Sequence, residues 1–146
     1  MVSSDNQASL RDWLCEKIGY VPTKNIQCIG SVIGGRIRGV VGFDNYNMAS
    51  VQMHVAGEPG WLTRELIRVC FDYPFNVCKV KVIIGLVPSG NIDAIRFNKH
   101  LGFKVIHELE GAHPDGSLVL MTMRRGECRY LKRERHGQEI LATAST

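Results

Sequence analysis

Residues 53–64 are a first candidate for chemistry, because a strand-like stretch runs through a Gly- and Pro-containing turn into a helix-like stretch. A helix N-terminus leaves about four backbone N–H groups without partners and carries a positive partial charge, which suits a phosphate group. Thr63 would add a hydroxyl and Arg64 a cation. Many α/β domains contain such a junction and bind nothing there, so phosphate binding and a purely structural turn both remain open.

A second strand-to-helix junction spans residues 87–103, with the sequence VPSGNIDAIRFNKHLGF. The Pro-Ser-Gly triplet predicts a turn, and Asn91 after it is a favourable N-cap residue. A helix is predicted over residues 92–101, with Gly102 ending it. The chain therefore has two junctions at which a strand leads directly into a helix N-terminus.

The elements that position these junctions follow from hydrophobic periodicity. Helices are predicted over 7–18, 61–73 and 92–101, and strands over 25–33, 36–43, 49–56, 80–87, 103–109 and 118–123. No strand is predicted before Gln7. The order indicates one α/β (α+β) domain with a mixed, largely antiparallel sheet, flanking helices and one parallel crossover.

Local signals refine this prediction at three places. Gly34 and Gly35 predict a tight hairpin, because both tolerate positive φ. Pro74 is expected to end the second helix. The run VKVIIGLV over 80–87 is nearly all apolar, which predicts a strand covered on both faces of the sheet.

Composition and charge exclude several classes of protein. The 146 residues are 45% hydrophobic and 22% charged, which is typical of one globular domain and excludes collagen, coiled coil and general disorder. No apolar run approaches the roughly 18 residues of a membrane span. Residues 1–7 are polar and do not resemble a secretory signal. We therefore expect no membrane partner.

The net charge of +4 comes entirely from one C-terminal segment. Residues 124–135 hold six Lys or Arg and two Asp or Glu, and the rest of the chain is balanced. We predict a single domain over 1–125 and a basic, flexible tail over 126–146. A solvated tail and a weak docking patch for an anionic partner are both open. A dedicated nucleic-acid binder would show a broader basic face, so a nucleic-acid accessory role is the weakest alternative.

The five cysteines predict a reducing, cytoplasmic setting. Their number is odd, their spacing is irregular and no CxxC pair occurs, so neither a zinc site nor a disulfide framework is expected. Cys28 and Cys70 lie within apolar patterns and are predicted to be buried. We expect no metal cofactor.

The pattern Asn-x-x-Ala-x-x-Phe-Asn-Lys-x-Leu-Gly-Phe at residues 91–103 carries a resemblance to a known family. It resembles the acetyl-CoA-binding helix and following strand of the GNAT superfamily of N-acetyltransferases. Residues 116–125, GSLVLMTMRR, resemble the last strand of some members. The resemblance covers residues 24–125 and is closest to the compact GNAT proteins encoded by phages and prophages.

The resemblance implies an acyltransferase that moves an acetyl group from acetyl-CoA to a primary amine, by direct transfer in a ternary complex. GNAT enzymes splay two central parallel strands, here 50–56 and 80–87, and lay the pantetheine arm of CoA between them. The backbone of one strand would pair with the pantetheine amides. The implied cofactor-binding residues are Met53, Val55, Gly60, Trp61, Leu62, Thr63, Arg64, Asn91, Ala94, Phe97 and Asn98.

The implied reaction needs a base with a pKa near 7 to deprotonate the amine, which favours histidine. His54 would lie on the strand beside the acyl site, although an ordinary solvent-facing position is the alternative. Glu58 is a second candidate base, and the backbone N–H of Val55 a candidate oxyanion donor. Tyr46 either packs in its loop or contacts the substrate. Trp61 either anchors its loop or forms an acceptor platform.

Several positions depart from the family pattern. Glu58, Trp61 and Thr63 occupy slots where the pyrophosphate loop usually has a basic residue or glycines, and Asn98 stands where many members carry a tyrosine general acid. A non-catalytic GNAT-fold interaction module is therefore the alternative function. The acceptor is expected to be a small-molecule or peptide amine, and a homodimer that completes the acceptor side is possible.

Overall fold

The computed structural model describes residues 1–131. The strands and α-helices in this part of the chain are β1 (Val2–Ser3), α1 (Gln7–Ile18), β2 (Gln27–Ile33), β3 (Arg36–Asp44), β4 (Ser50–Gly57), α2 (Arg64–Asp72), β5 (Val82–Pro88), α3 (Ile92–Leu101), β6 (Lys104–His113) and β7 (Gly116–Arg124). None of these helices has the length and apolar content needed to cross a membrane.

The seven strands form one sheet in the order β1-β2-β3-β4-β5-β7-β6. Every pair of neighbours is antiparallel except β4 and β5, which run parallel. The predicted fold class, a largely antiparallel mixed sheet with one parallel crossover, is confirmed. The hairpin at Gly34 and Gly35 is also confirmed, with φ of 58° and 77° at the two glycines.

The parallel strands β4 and β5 pair only at their N-terminal ends. Ser50, Val51 and Gln52 are in register with Val82, Ile83 and Ile84, and no pairing follows. The later residues of both strands remain paired on their other sides, β4 with β3 and β5 with β7. An opening therefore lies between residues 53–57 and 85–88, in the middle of the sheet.

Helices cover the two faces of the sheet unequally. Leu66 and Phe71 of α2 and Leu101 of α3 share one core cluster with Val51 and Ile83 of the sheet. On the other face, α1 packs mainly on β2, β3 and β4, where Leu10 and Leu14 join Cys28 and Val40 in a second cluster. Cys28 and Cys70 are buried, as predicted. Within residues 1–131, no helix covers the α1 face of the sheet at β5, β7 and β6.

The prediction that β5 is covered on both faces is wrong. Burial alternates along the strand: Ile83, Gly85 and Val87 are buried, whereas Ile84 and Leu86 are half-buried. The apolar run reflects a strand with a core on one side and, among the described residues, an apolar surface without cover on the other. Because α1 extends only as far as β4, nothing in residues 1–131 covers that second side.

The helix boundaries show what capping contributes. Helix α1 has the predicted bounds, because Asn6 Oδ1 accepts a hydrogen bond from Ser9 N at 3.3 Å and Gly19 ends the helix in a left-handed conformation. Helix α2 begins at Arg64, three residues later than predicted, because Thr63 is its N-cap.

The α-helix ends at Asp72, just before Pro74 and close to the predicted end, but the chain continues in a helical turn of a different type. A π-helical turn, Tyr73–Val77, continues directly from α2, and Pro74 lies in its first turn. A proline at the start of a helical turn sacrifices no hydrogen bond, because its missing N–H would have no partner there. The turn closes where Cys78 N donates to Tyr73 O at 2.9 Å.

Strand β1 was not predicted from the sequence. Val2 and Ser3 pair with Ser31 and Gly30 at the edge of β2. Two residues are too short to show an alternating pattern, and this strand forms because its partner already exists.

The first residues of the predicted C-terminal tail pack on the domain. The ring of Tyr130 stacks on Phe71 with centroids 5.5 Å apart, and Cys128 and Leu131 contact the larger core cluster. Residues 132–146, which make up the rest of the predicted tail, lie outside the described residues. The division of the chain at residue 125 stays a prediction.

Candidate active site

Two helix N-termini stand at the open end of the splayed strands. Strand β4 leads through residues 58–63 into α2, and β5 leads through residues 89–91 into α3. Both helices start beside the opening, so their free amides and positive partial charges face the same region. The site is therefore built from the two junctions that the sequence predicts.

The start of α2 offers a group of unpaired backbone donors. The N–H group of Leu66 is satisfied by Thr63 Oγ1 at 3.2 Å. Within residues 1–131, the N–H groups of Leu62, Thr63, Arg64 and Glu65 make no hydrogen bond. Four adjacent donors of this kind form a favourable anion site. The hydroxyl oxygen of Thr63 therefore serves as the cap of α2 and makes no bond within the loop.

Glu58, in the loop before α2, is held by two arginines from the neighbouring hairpin. Its carboxylate lies 2.7 Å from Arg36 Nη2 and 2.8 Å from Arg38 Nε. The Glu58 N–H also donates to the carbonyl of Arg38 at 2.8 Å. Two cations around one carboxylate leave this cluster with a positive charge. Both oxygens of Glu58 are engaged, so this side chain is poorly placed to act as a base.

Trp61 is buried and anchors the loop to the sheet. Its indole lies on Gly39 of β3 and Gly57 of β4, which are directly opposite each other in register. A Cβ at either glycine would overlap the ring. This arrangement favours the loop-anchoring interpretation over the acceptor-platform interpretation. Gly60 supplies the positive φ of 80° at the turn that brings Trp61 back onto the sheet.

The side chains of Met53, Val55, Leu62 and Phe97 point into the core beneath the opening. Together with Trp61 they line a cavity of about 10 Å³, which holds at most one water molecule. A ligand in the opening would therefore contact the backbone atoms and the outer surface of these residues. It would not enter an internal pocket.

Helix α3 closes the site from the other side. Asn91 Oδ1 accepts a hydrogen bond from Ala94 N at 3.2 Å and caps the helix, as predicted. Asn98 lies above Gly85 of β5, and its Nδ2 is 3.8 Å from Met121 Sδ. Its carboxamide carries no acidic proton. Ala94 and Phe97 pack against the core.

His54 lies on the opposite face of β4 from Met53 and Val55. It is in register with Gly42, whose surroundings include Leu14 of α1. The imidazole stacks on Tyr20 with ring centroids 3.9 Å apart. Its Nε2 is buried, and no group in residues 1–131 bonds to it. His54 is therefore not the solvent-facing residue of the alternative interpretation.

Burial sets the protonation state of His54. Desolvation lowers the pKa of the imidazole below its ordinary value of 6.5, and the charge of Asp44 opposes this only in part. The neutral form of the ring is therefore favoured at pH 7, and its Nε2 has no hydrogen-bond partner within residues 1–131. A neutral imidazole beside the opening is suited to accept a proton.

Asp44 holds Tyr20 over His54, and sequence reasoning missed both residues. The Asp44 carboxylate is buried and accepts hydrogen bonds from Tyr20 Oη at 2.7 Å, Thr23 N at 2.8 Å, Thr23 Oγ1 at 2.5 Å and Asn45 N at 2.9 Å. Burial alone would raise the pKa of Asp44, but these bonds outweigh it and lower the pKa. No pattern in the sequence links these positions, which meet only through the fold.

Tyr46 does not join the His54 group. Its hydroxyl donates to the carbonyl of Cys78 at 3.3 Å, which ties the loop before β4 to the segment before β5. That contact lies toward the paired ends of the two strands, away from the opening. Among the residues the structure describes, no cluster of three or more His, Cys, Asp or Glu is suited to hold a metal ion.

Comparisons with known proteins show which solved structures share this fold. No family model and no curated protein matches the sequence. A solved variant of the spermidine N-acetyltransferase SpeG from Vibrio cholerae matches with a TM-score of 0.70 and 16% identity, covering 92% of this chain and 99% of that one. The Vibrio cholerae spermidine N-acetyltransferase in complex with CoA and spermine matches with a TM-score of 0.66 and 14% identity, covering 87% and 96%.

A dodecameric structure of spermidine N-acetyltransferase from Vibrio cholerae also matches, with a TM-score of 0.67 and 14% identity, covering 86% of this chain and 94% of that one. These likenesses extend over most of both chains, whereas the sequences share few residues. What they establish is the arrangement of helices and strands. The chain therefore has the fold of the GNAT N-acetyltransferases.

Proposed function

We propose that this chain is an acetyl-CoA-dependent N-acetyltransferase of the GNAT superfamily, which transfers the acetyl group directly to a primary amine. The observation that carries the proposal is the opening between β4 and β5 beyond Gln52 and Ile84. Unpaired strand edges in the middle of a sheet need hydrogen-bond partners. An extended arm with amide groups is the kind of ligand that supplies them.

The phosphates of CoA are proposed to lie at the start of α2. The unpaired amides of residues 62–65 provide donors, and Arg36 and Arg38 provide charge. These arginines replace the basic loop residue that the sequence lacks. The pantetheine arm would then follow the free edge of β4 at Met53 and Val55. The start of α3 at Asn91 would border it on the other side.

Acetyl-CoA supplies an activated acyl group as a thioester. His54 is proposed to act as the base, with a water carrying the proton of the attacking amine to its buried Nε2, and the N–H of Val55 is proposed to stabilise the oxyanion. The C–N bond forms first and gives the oxyanion, and the C–S bond breaks as the carbonyl group forms again. Because Asn98 has no acidic proton, the departing thiolate takes its proton from solvent.

Calorimetry with acetyl-CoA and a thiol-release assay on a panel of primary amines test this proposal together. We expect binding of acetyl-CoA at micromolar to submillimolar concentration and thiol release that depends on the amine. S-Acetylpantetheine, which lacks the phosphates, is the matched control ligand and should bind much more weakly. Absence of acetyl-CoA binding at millimolar concentration would overturn the proposal.

A non-catalytic GNAT-fold module is the second candidate, and Asn98 is the observation that favours it. A module of this kind would bind CoA or a protein partner without turnover. Sustained thiol release with any primary amine eliminates it. Binding of acetyl-CoA without release across the whole panel would favour it over the enzyme.

A further inference from the structure

The face of the sheet opposite α2 and α3 carries an apolar surface, here called the trough, that no other part of residues 1–131 covers. It consists of Ile84 and Leu86 of β5, Leu118 and Leu120 of β7, and Leu109 of β6. The side chains on β5 and β7 are half-buried and belong to neither core cluster, and Leu109 is exposed. Exposed apolar patches on a sheet face commonly mark binding surfaces.

The trough borders the opening on the same face as His54. Gln52 and Ile84 are in register across the parallel pair, so their side chains share a face. His54 follows Gln52 by two residues and Leu86 follows Ile84 by two, which places both on that face on opposite sides of the opening. A molecule that presents an amine to His54 would therefore rest its body on the trough.

The trough has no acidic side chain to receive a second positive charge. On β5 and β7 the positions on this face are apolar apart from Thr122 and Arg124, and the β6 residues in register with it are Lys104, His107 and Leu109. Two carboxylates near this face, Asp44 and Glu127, are already engaged. Asp44 accepts four hydrogen bonds. Glu127 forms an ion pair with Lys104 and accepts a hydrogen bond from the backbone N–H of Arg124.

We propose that the acceptor is a monoamine with an apolar aryl or alkyl body, and not a polyamine; this inference rests on the proposed acetyltransferase activity. An apolar body gains free energy by covering the half-buried leucines. A polyamine would place additional ammonium groups on the same surface without a carboxylate partner, which is unfavourable. The chain would then differ in acceptor class from the spermidine acetyltransferases whose fold it shares.

Thiol release with phenethylamine and with spermidine tests the inference on the unmodified protein. We expect kcat/KM for phenethylamine to exceed that for spermidine by about tenfold or more, from burial of the phenyl group. A preference for spermidine would overturn the inference and leave the proposed activity intact. Thiol release with neither of these two, and with no other amine, would instead remove the proposed activity and the inference with it.

Leu120→Glu places a carboxylate in the trough and should reverse the preference, lowering kcat/KM for phenethylamine and raising it for spermidine. Val77→Glu is the matched control, because Val77 is exposed on the π-helical turn away from the trough, and it should leave the ratio unchanged. If Leu120→Glu does not fold by circular dichroism, Leu86→Gln, which also reduces the apolar surface, takes its place. An unchanged ratio in a folded trough variant would overturn the inference.

A second copy of the chain is the other possible occupant of the trough. Sedimentation velocity on the unmodified protein and on the Leu120→Glu variant distinguishes a bound acceptor from a second copy of the chain as the occupant of the trough. We expect the same mass for both proteins, with the change confined to acceptor preference. A smaller mass for the variant with an unchanged preference would identify the trough as a subunit interface and overturn the inference.

Discussion

At the scale of single residues, His54 and Tyr20 form the most distinctive contact of the site. The stacked rings keep the imidazole half-buried, and its pKa is lowered by desolvation despite the nearby charge of Asp44. A lowered pKa keeps the neutral form in the folded chain. The contribution of His54 to the free energy of unfolding is complete above pH 6.5, and it is lost as the pH falls through the pKa of His54 in the folded chain.

His54→Gln should lower kcat by about 100-fold or more while acetyl-CoA affinity stays within a factor of two or so, because it removes a base and not a binding group. The unmodified enzyme should stay active somewhat below pH 6.5, with an acid limb set by the folded pKa of His54. A pH-rate profile of both proteins measures this. Full activity of the variant across the pH range would exclude His54 as the base.

Glu58→Gln tests the other candidate base. Removing the carboxylate frees Arg36 and Arg38, so acetyl-CoA should bind up to about fivefold more tightly, with kcat retained. Asp12→Asn, which breaks the exposed pair with Arg11 on α1, is the control and should change neither quantity. A large loss of kcat in Glu58→Gln would make Glu58 the base and contradict the assignment to His54.

At the scale of elements, the glycine pair on β3 and β4 fixes the loop that leads into α2. Gly57→Ala should displace Trp61, lowering stability by about 1–3 kcal/mol and weakening acetyl-CoA binding, because the ring and the new methyl group occupy the same space. Gly126→Ala is the control, since a Cβ there meets no atom within 4 Å. Thermal unfolding and calorimetry measure both effects, and equal stability of the two variants would contradict the account of Trp61.

The elements that sequence reasoning predicts well are those whose signals are local. Helices α1 and α3 carry their caps and stop glycines within a few residues, so their bounds are predicted correctly. Helix α2 is misplaced because Trp61 and Leu62 extend its apolar pattern backwards, although Trp61 packs on glycines of the sheet. Whether the second side of β5 is covered depends on how far α1 extends across the sheet, and no local sequence pattern indicates that.

The candidate site is predictable only in part, for the same reason. The two strand-to-helix junctions are visible in the sequence, and with the family resemblance they locate the opening. The pairing of Glu58 with Arg36 and Arg38, and the stacking of Tyr20 on His54, join residues at least 20 positions apart. These residues come together only because β3 pairs with β4 in this register and because α1 packs at this place on the sheet.

At the scale of the whole molecule, Asp44 links the segment after α1 to the central strands. It is nearly fully buried, and its hydrogen bonds fasten Tyr20 and Thr23 to the end of β3. Because the folded chain lowers the pKa of Asp44, its contribution to stability is complete above the ordinary value of 3.8 and is lost as the pH falls through the folded pKa.

Asp44→Asn should destabilise the domain by about 2–4 kcal/mol, since an amide cannot accept all of these hydrogen bonds and its NH₂ faces the donors of Thr23 and Tyr20. Urea unfolding at pH 7 measures the loss, and repetition at pH 3 should show a smaller difference from the unmodified protein. Asp12→Asn on the surface serves as the control. An Asp44→Asn variant as stable as the unmodified protein would contradict this account.

A crystal structure of the chain with acetyl-CoA tests the central claim most directly. The account predicts the pantetheine arm between β4 and β5 beyond Gln52 and Ile84, with the phosphates at the amides of residues 62–65 and the thioester beside His54. Strands β4 and β5 hydrogen-bonded to each other along their full length, or the ligand bound elsewhere on the chain, would contradict it.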